Sequence, residues 1–231
     1  MRKYVIIVAG GKGLRMGDKL PKQFIPVHGK PVLMHTLKVF VDWNPDMEIT
    51  VVLPQEKKKY WSILCEELNF NIPHKTVFGG ETRFHSVKNA LQCIKGEGLV
   101  AVHDGVRPFV THEVIGECFC VAQRFGAAIP VIPMTESVRE MVDENESRSF
   151  NREKLRIVQT PQVFKTDILK KSYGYPYKES FTDDASVVEA AGYKIHLVRG
   201  NRENIKITIP SDLRFASDFI GEKIGGYIDA L

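Results

Sequence analysis

Near the start of the chain, Ala9-Gly10-Gly11-Lys12-Gly13-Leu14-Arg15-Met16-Gly17 follows directly on the β-branched run 4–8. Glycines just past a buried strand let the backbone approach a ligand closely and turn its N–H groups towards an anion. Read alone, the segment is equally a glycine-rich turn. Its spacing excludes two common phosphate loops. The nearby Gly-Lys pair is followed by Gly13 instead of Ser or Thr, and a G-x-G-x-x-G pattern begun at Gly11 meets Met16 where its third glycine belongs. The strand candidate that should carry a ribose-binding acid, 49–53, ends in Leu-Pro, which disfavours a dinucleotide oxidoreductase. The loop does bring positive charge, first Arg15 and then Lys22 within Pro21-Lys22-Gln23-Phe24. Two fixed cations beside a backbone cradle suit attack on the α-phosphorus of a triphosphate, because negative charge accumulates on the phosphoryl oxygens.

Further polar groupings are open to two readings each. Gly79-Gly80-Glu81-Thr82-Arg83-Phe84-His85-Ser86-Val87 is at least a strand-to-helix turn with Thr82 as the helix cap. In Val102-His103-Asp104-Gly105-Val106-Arg107-Pro108, Asp104 is either a turn former or, beside a nucleotide loop, a ribose or Mg²⁺ ligand. Thr135-Glu136-Ser137-Val138-Arg139 and Asn151-Arg152-Glu153 read by themselves as surface polar residues, and Lys206 in Asn204-Ile205-Lys206-Ile207-Thr208 as an outward lysine on a strand. Phe181-Thr182-Asp183-Asp184-Ala185-Ser186 reads as a helix start, with Thr182 capping and two acids in the first turn.

These groups need a scaffold, and the chain alternates short apolar runs with amphipathic ones. Strands are expected at 4–8, 49–53, 75–78, 100–103, 127–132 and 195–198. Helical periodicity links Leu33, Leu37, Phe40 and Val41, then Val87, Ala90, Leu91 and Ile94. It recurs in Val114, Cys118, Val121, Ala122 and Phe125, and again in Leu213, Ala216, Ile220 and Ile224. Lys57-Lys58-Lys59 sits on the wet face of another helix, beside the stripe Tyr60, Leu64 and Leu68. Strands separated by helices imply βαβ units, a mostly parallel sheet and ligands at the strands' carboxyl ends. The exception is the polar stretch 133–159, where strand-like pieces at 137–142 and 155–159 flank a turn-rich centre and predict a projecting β-hairpin arm over 134–158. Such a hairpin is marginal alone and should pack on something, plausibly a second subunit.

At 231 residues the chain suits a single domain spanning 1–231. Its net charge of +4, with no Lys/Arg block, argues against a nucleic-acid partner. No leader and no membrane-length apolar run are expected, and the four cysteines, Cys65, Cys93, Cys118 and Cys120, lack paired ligand spacing. They read as reduced and buried, which points to the cytosol.

The opening A-G-G-x-G-x-R-M-G…P-K-Q-F resembles that of cytidylyltransferases acting on polyol phosphates, and the likeness continues along nearly the whole chain. The resemblance implies a Rossmann-like, GT-A-like α/β nucleotidyltransferase fold with CTP as co-substrate and Mg²⁺ as the divalent cation. It implies that Ala9, Gly10, Gly11 and Gly13 cradle the nucleotide and that Gly80, Glu81 and Ser86 meet the cytosine end, with Arg83 in support. It also implies that Asp104 holds the ribose or the metal. Thr160-Pro161-Gln162-Val163-Phe164 matches a structural corner. The arm is implied to cross to a partner in a homodimer, where Ser137, Arg139 and Arg152 would join Arg107 and Lys206 at the acceptor phosphate. Glu136, Ser137 and Arg139 stand where the family shows Asp, Thr and Lys; Glu81 and Val106 replace Asp and Ala.

The expected reaction is transfer of CMP from CTP to 2-C-methyl-D-erythritol 4-phosphate in non-mevalonate isoprenoid precursor synthesis. Arg15 and Lys22 would act on the α-phosphate, and Arg152 and Lys206 would aim the acceptor. No general base is required, since a phosphomonoester is already mostly dianionic at neutral pH. Ribitol 5-phosphate is the alternative acceptor. A non-catalytic nucleotide sensor is the remote alternative, disfavoured by the retained cations. Sugar-1-phosphate nucleotidylyltransferases carry segments this length does not hold.

Overall fold

The computed structural model describes residues 1–11 and 20–225; Gly13 and Arg15 lie outside the described residues. The chain order is β1 (Arg2–Val8), β2 (Pro26–Val27), β3 (Lys30–Pro31), α1 (Val32–Trp43), β4 (Glu48–Leu53), α2 (Lys58–Glu67), β5 (Lys75–Phe78), α3 (Arg83–Leu91), β6 (Gly98–Asp104), α4 (His112–Phe125), β7 (Ala127–Pro133), β8 (Val138–Met141), β9 (Ser147–Phe150), β10 (Arg156–Val158), β11 (Gln162–Lys165), α5 (Thr166–Ser172), α6 (Asp184–Ala190), β12 (His196–Arg199) and α7 (Pro210–Gly225).

Eight strands form one sheet in the order β10-β7-β11-β6-β1-β4-β5, with β12 paired to β7. The β6-β1-β4-β5 half is parallel, and β12 joins β7 in parallel. β11 and β10 return antiparallel. The period of two in a strand sorts β1 cleanly between the two faces. Val5 and Ile7 pack with Leu33, Phe40, Trp61 and Ile115 of α1, α2 and α4. Tyr4 and Ile6 pack with Phe84, Val87, Leu169 and Val187 of α3, α5 and α6. A strand covered on both faces has no room for polar alternation, which is why β1, β4 and β6 read as continuous apolar runs. A third cluster seats α7, through Ala216 and Ile220, on Val27, Val106 and Ile207. No helix among the described residues is long and apolar enough to cross a membrane.

Four local expectations are corrected. The hairpin's second strand is β9, whereas 156–158 returns to pair with β7 in the main sheet. Both segments are short and largely exposed, so pattern alone could not choose between the two partners. The cap of α6 is Asp183, which accepts from Ser186 N–H within a reciprocal capping box; Thr182 is not the cap. Residues 205–208 form no strand. The cysteines are all free, but Cys120 is exposed.

Trp61 fastens α2 to the sheet. It is 1% exposed, its Nε1–H donates to His74 Nε2 at 2.9 Å, and its ring lies 6.2 Å from that of Phe24. Trp61→Ala should lower the unfolding free energy by about 3–5 kcal/mol, read as a shift of the urea midpoint at unchanged m-value. Trp61→Phe should cost less, about 1–2 kcal/mol, since it removes mainly the hydrogen bond.

Candidate active site

The parallel register brings four strand ends to one edge of the sheet. Val8 lies opposite Asp104 on one side and Val52 on the other, and Leu53 lies opposite Phe78. The loops leaving those ends are tied to neighbouring strands. Ala9 N–H donates to Val52 O at 3.0 Å, Gly79 N–H to Leu53 O at 2.9 Å, and Gly105 N–H to Val8 O at 2.9 Å. Between them opens a cleft of about 610 Å³. Ala9, Gly10, Gly11, Lys22, Gly80, Glu81, Ser86, Asp104 and Lys206, drawn from distant parts of the sequence, all line it.

The floor of the cleft is ionic. Asp104 Oδ2 receives Lys206 Nζ at 3.0 Å and Arg107 Nε at 3.2 Å, while Arg83 Nε stands 3.7 Å from Oδ1. Burial alone would raise the Asp104 pKa. Lys206, Arg83 and Arg107 outweigh it and hold the carboxyl well below the usual carboxylate range. Burial likewise opposes the charge on Arg83, but Asp184 and Asp104 keep that guanidinium firmly protonated. Asp184 is fully buried, accepting Arg83 Nη2–H at 2.7 Å and the Tyr173 hydroxyl at 2.6 Å. Arg107 does not line the cleft. It stands behind Asp104 and donates through Nη1 to Asn204 O at 2.7 Å, which fixes the segment carrying Lys206.

One wall is the turn from β5 into α3. Gly80 N–H donates to Ser86 Oγ at 3.0 Å, and Thr82 caps the helix by accepting from His85 N–H, as its position predicts. A Cβ at Gly80 would collide with His85 Cβ, so the turn admits only glycine. Glu81 and Gly80 are exposed at the mouth and Ser86 is buried, an arrangement that can take the edge of a small heterocycle.

Ser137, Arg139 and Arg152 are not among the residues lining this chain's cleft. All three are exposed on or beside the hairpin. Arg139 donates to Ser147 Oγ and Ser147 O, both at 2.7 Å, and Arg152 Nη1 donates to Thr135 O at 2.5 Å. Sequence reasoning missed the partners that support the site. Gln23 sits inside Pro21-Lys22-Gln23-Phe24, which by itself points to no partner. Asp184 was assigned only to a helix start. Thr160 proves to be a relay, because Asp104 N–H donates to its Oγ1 at 3.1 Å and its hydroxyl pairs with His103 Nδ1 at 3.0 Å.

Among the described residues, no group of three or more His, Cys, Asp or Glu could hold a metal unaided. Asp104 does fit the chemistry of Mg²⁺, which takes one or two carboxylates and completes its shell with phosphate oxygens and water. The carboxyl is held ionised, and the approach to Oδ1 at 3.7 Å is too long for a hydrogen bond, so that oxygen can accept a further ligand.

Residues 3–222 match the family model described as IspD: 2-C-methyl-D-erythritol 4-phosphate cytidylyltransferase. The chain is 55% identical over 217 residues to the protein of that name from Bacteroides thetaiotaomicron, covering 94% of this chain and 99% of the relative. A protein of the same name from Bacillus velezensis is 36% identical over 98% of this chain and 99% of its own length. Among solved structures, the 2-C-methyl-D-erythritol 4-phosphate cytidylyltransferase of Thermus thermophilus superposes with a TM-score of 0.76 at 34% identity, covering 95% of this chain and 98% of the other. The 4-diphosphocytidyl-2C-methyl-D-erythritol synthase of Anaerococcus prevotii gives 0.80 at 28% identity, over 96% of each chain.

Burial pushes the His103 pKa down to about 4, so the imidazole is neutral, with Nδ1 accepting from Thr160 and Nε2–H donating to Arg107 O at 3.0 Å. An unfolded histidine titrates near 6.5, so between those values the unfolded chain binds more protons and stability falls as pH is lowered. The expected slope from this one group is about 1.4 kcal/mol per pH unit between roughly pH 6 and 4.5. Urea unfolding across that window should show a shallower slope in His103→Gln than in the natural protein, the remainder including His35, whose pKa burial also lowers; equal slopes would place the His103 imidazole outside the linkage.

Proposed function

The chain belongs to the 2-C-methyl-D-erythritol 4-phosphate cytidylyltransferase family. From that membership and from the cleft we infer that it transfers the cytidylyl group of CTP to 2-C-methyl-D-erythritol 4-phosphate. The products are 4-diphosphocytidyl-2-C-methyl-D-erythritol and pyrophosphate, a step of isoprenoid precursor synthesis carried out in the cytosol. The observation that carries the reading is the buried, ionised Asp104 wedged among Lys206, Arg107 and Arg83 at the floor of a glycine-walled cleft.

Two polyanions must meet for this reaction, and the residues divide the task. The Ala9–Gly11 backbone, continued by Gly13, receives the triphosphate, with Lys22 and Arg15 taking the charge that spreads over the α-phosphate. Gly80, Glu81 and Ser86 read the cytosine end. Lys206 spends one of its three donors on Asp104 and, with a side chain 42% exposed, turns the others to the acceptor phosphate. Attack is in line and depends on positioning, because the acceptor phosphate is already ionised at neutral pH. Mg²⁺ held by Asp104 and the phosphate oxygens would neutralise charge on the leaving pyrophosphate.

The arm supports a homodimer. An isolated two-stranded hairpin is marginal in water, yet this one exposes Met141, Val142 and Phe150 to 62%, 56% and 36%. A partner chain that covers them would bring Arg152, with Ser137 and Arg139, to the acceptor end of the neighbouring cleft.

Pyrophosphate release should be seen with CTP, Mg²⁺ and 2-C-methyl-D-erythritol 4-phosphate, with little from ribitol 5-phosphate. The reverse preference would reassign the acceptor. Silence with both, from folded protein that binds CTP, would leave a nucleotide sensor. Lys206→Met should lower kcat/KM by about 10²–10³-fold through the acceptor, with CTP binding retained. Arg15→Ala and Arg152→Ala proteins, each inactive, should regain activity in mixed heterodimers; verified heterodimers that stay silent would rule out a shared site.

A further inference from the structure

The carbonyls on either side of Gly10 are held by a single side chain. Gln23 Nε2 donates to Ala9 O at 2.7 Å and to Gly11 O at 3.1 Å, so both amide hydrogens are used on the glycine loop. Gln23 is 2% exposed. It sits in the single 3₁₀ turn Lys22–Phe24, closed by Phe24 N–H donating to Pro21 O at 2.9 Å. The next residue, Phe24, is 1% exposed and packs on Tyr60 and Trp61, so the carboxamide is braced against the core.

A trans peptide sets its N–H opposite its C=O. Drawing the Ala9 carbonyl to Gln23 therefore turns the Gly10 N–H away from the carboxamide, and Gly10 and Gln23 both line the cleft. The second bond, at Gly11, keeps another carbonyl oxygen from rotating towards a phosphate, where two electron-rich oxygens would repel. We propose that Gln23 is a positioning residue for the triphosphate: its carboxamide holds the Ala9 and Gly11 carbonyls so that the Gly10 N–H faces the phosphates. The inference rests on reading this cleft as a CTP site. One short turn then does two things, with Lys22 supplying charge to the cleft and its neighbour setting the loop that receives the same phosphates. Glutamine suits the second task because it offers two donors from one nitrogen at the end of a long stem, whereas an ionised glutamate offers only acceptors.

Calorimetric titration of Q23M and Q23E with CTP and separately with cytidine tests this. Q23M keeps roughly the same volume without donors, and Q23E sets oxygens against oxygens. The CTP affinity should fall about 10- to 100-fold in Q23M and further in Q23E, while cytidine, which lacks phosphates, binds as it does to the natural protein. Unchanged CTP affinity, or equal losses for both ligands, would overturn the proposal. Should both variants unfold, the natural protein decides: pyrophosphate should shift the Gly10 amide proton downfield in an NMR titration, and an unmoved Gly10 resonance counts against the idea. Failure of the natural protein to bind CTP would remove the triphosphate reading itself. Turnover by the natural protein beside unimpaired CTP binding by Q23M would remove only the role of Gln23.

Discussion

One buried carboxylate facing three cations organises this molecule. Asp104 ends β6, Arg83 begins α3, Arg107 lies in the loop after β6, and Lys206 sits in the irregular segment before α7. Three stretches of chain, at 83, 104–107 and 206, are thereby fixed at one point. Taking these charges out of water costs several kcal/mol each, and only close pairing offsets it. Asp184 extends the network by taking the second face of Arg83 and the Tyr173 hydroxyl. Three cations thus stand against two carboxylates, and the surplus is carried by Lys206, whose side chain is the most exposed of them. The buried acids therefore leave one cation of this cluster unbalanced beside the cleft.

Irregular backbone beside a buried site needs partners for its polar groups, and amide side chains supply them. Gln159 Nε2 donates to Asn201 O and Asn204 O, Asn204 Nδ2 to Thr160 O, and Asn201 Nδ2 to Phe109 O. On the far side of Lys206, Asp212 accepts from Thr208 N–H and Ile209 N–H. Between these clamps Ile207 is buried and its N–H donates to Val106 O at 3.0 Å. The lysine therefore projects from a segment pinned before it, behind it and at its neighbour, which gives a flexible four-carbon side chain a fixed origin.

The features legible in the sequence are those whose cause is local. Runs of apolar residues marked β1, β4 and β6, and helical spacing marked α1, α3, α4 and α7, because burial imposes a period on each element. The glycine loops announced themselves by type, and the cleft gathers the described residues expected at the nucleotide end. Long-range pairing was not legible. Whether 156–158 pairs with the hairpin or with β7 depends on the whole sheet. Asp183 caps α6 through its box with Ser186, and its carboxylate also accepts from Gln162, twenty-one residues earlier, at 2.8 Å. Gln23 and Asp184 carry no motif that reveals a partner across the fold.

The unequal completeness of the two ends follows from the same electrostatics. Within one chain the nucleotide end has its walls and its carboxylate, whereas Arg139 and Arg152 remain exposed at the hairpin. Two like charges about 4 Å apart repel by about 4 kcal/mol at an effective dielectric constant of about 20. A cluster that already carries surplus positive charge would be strained further by two more guanidinium groups before any phosphate was bound. Placing them on a separate arm lets each chain fold around Asp104 with nearly balanced charge. In the proposed dimer these cations would arrive by docking, and burial of the exposed Met141, Val142 and Phe150 would offset the repulsion.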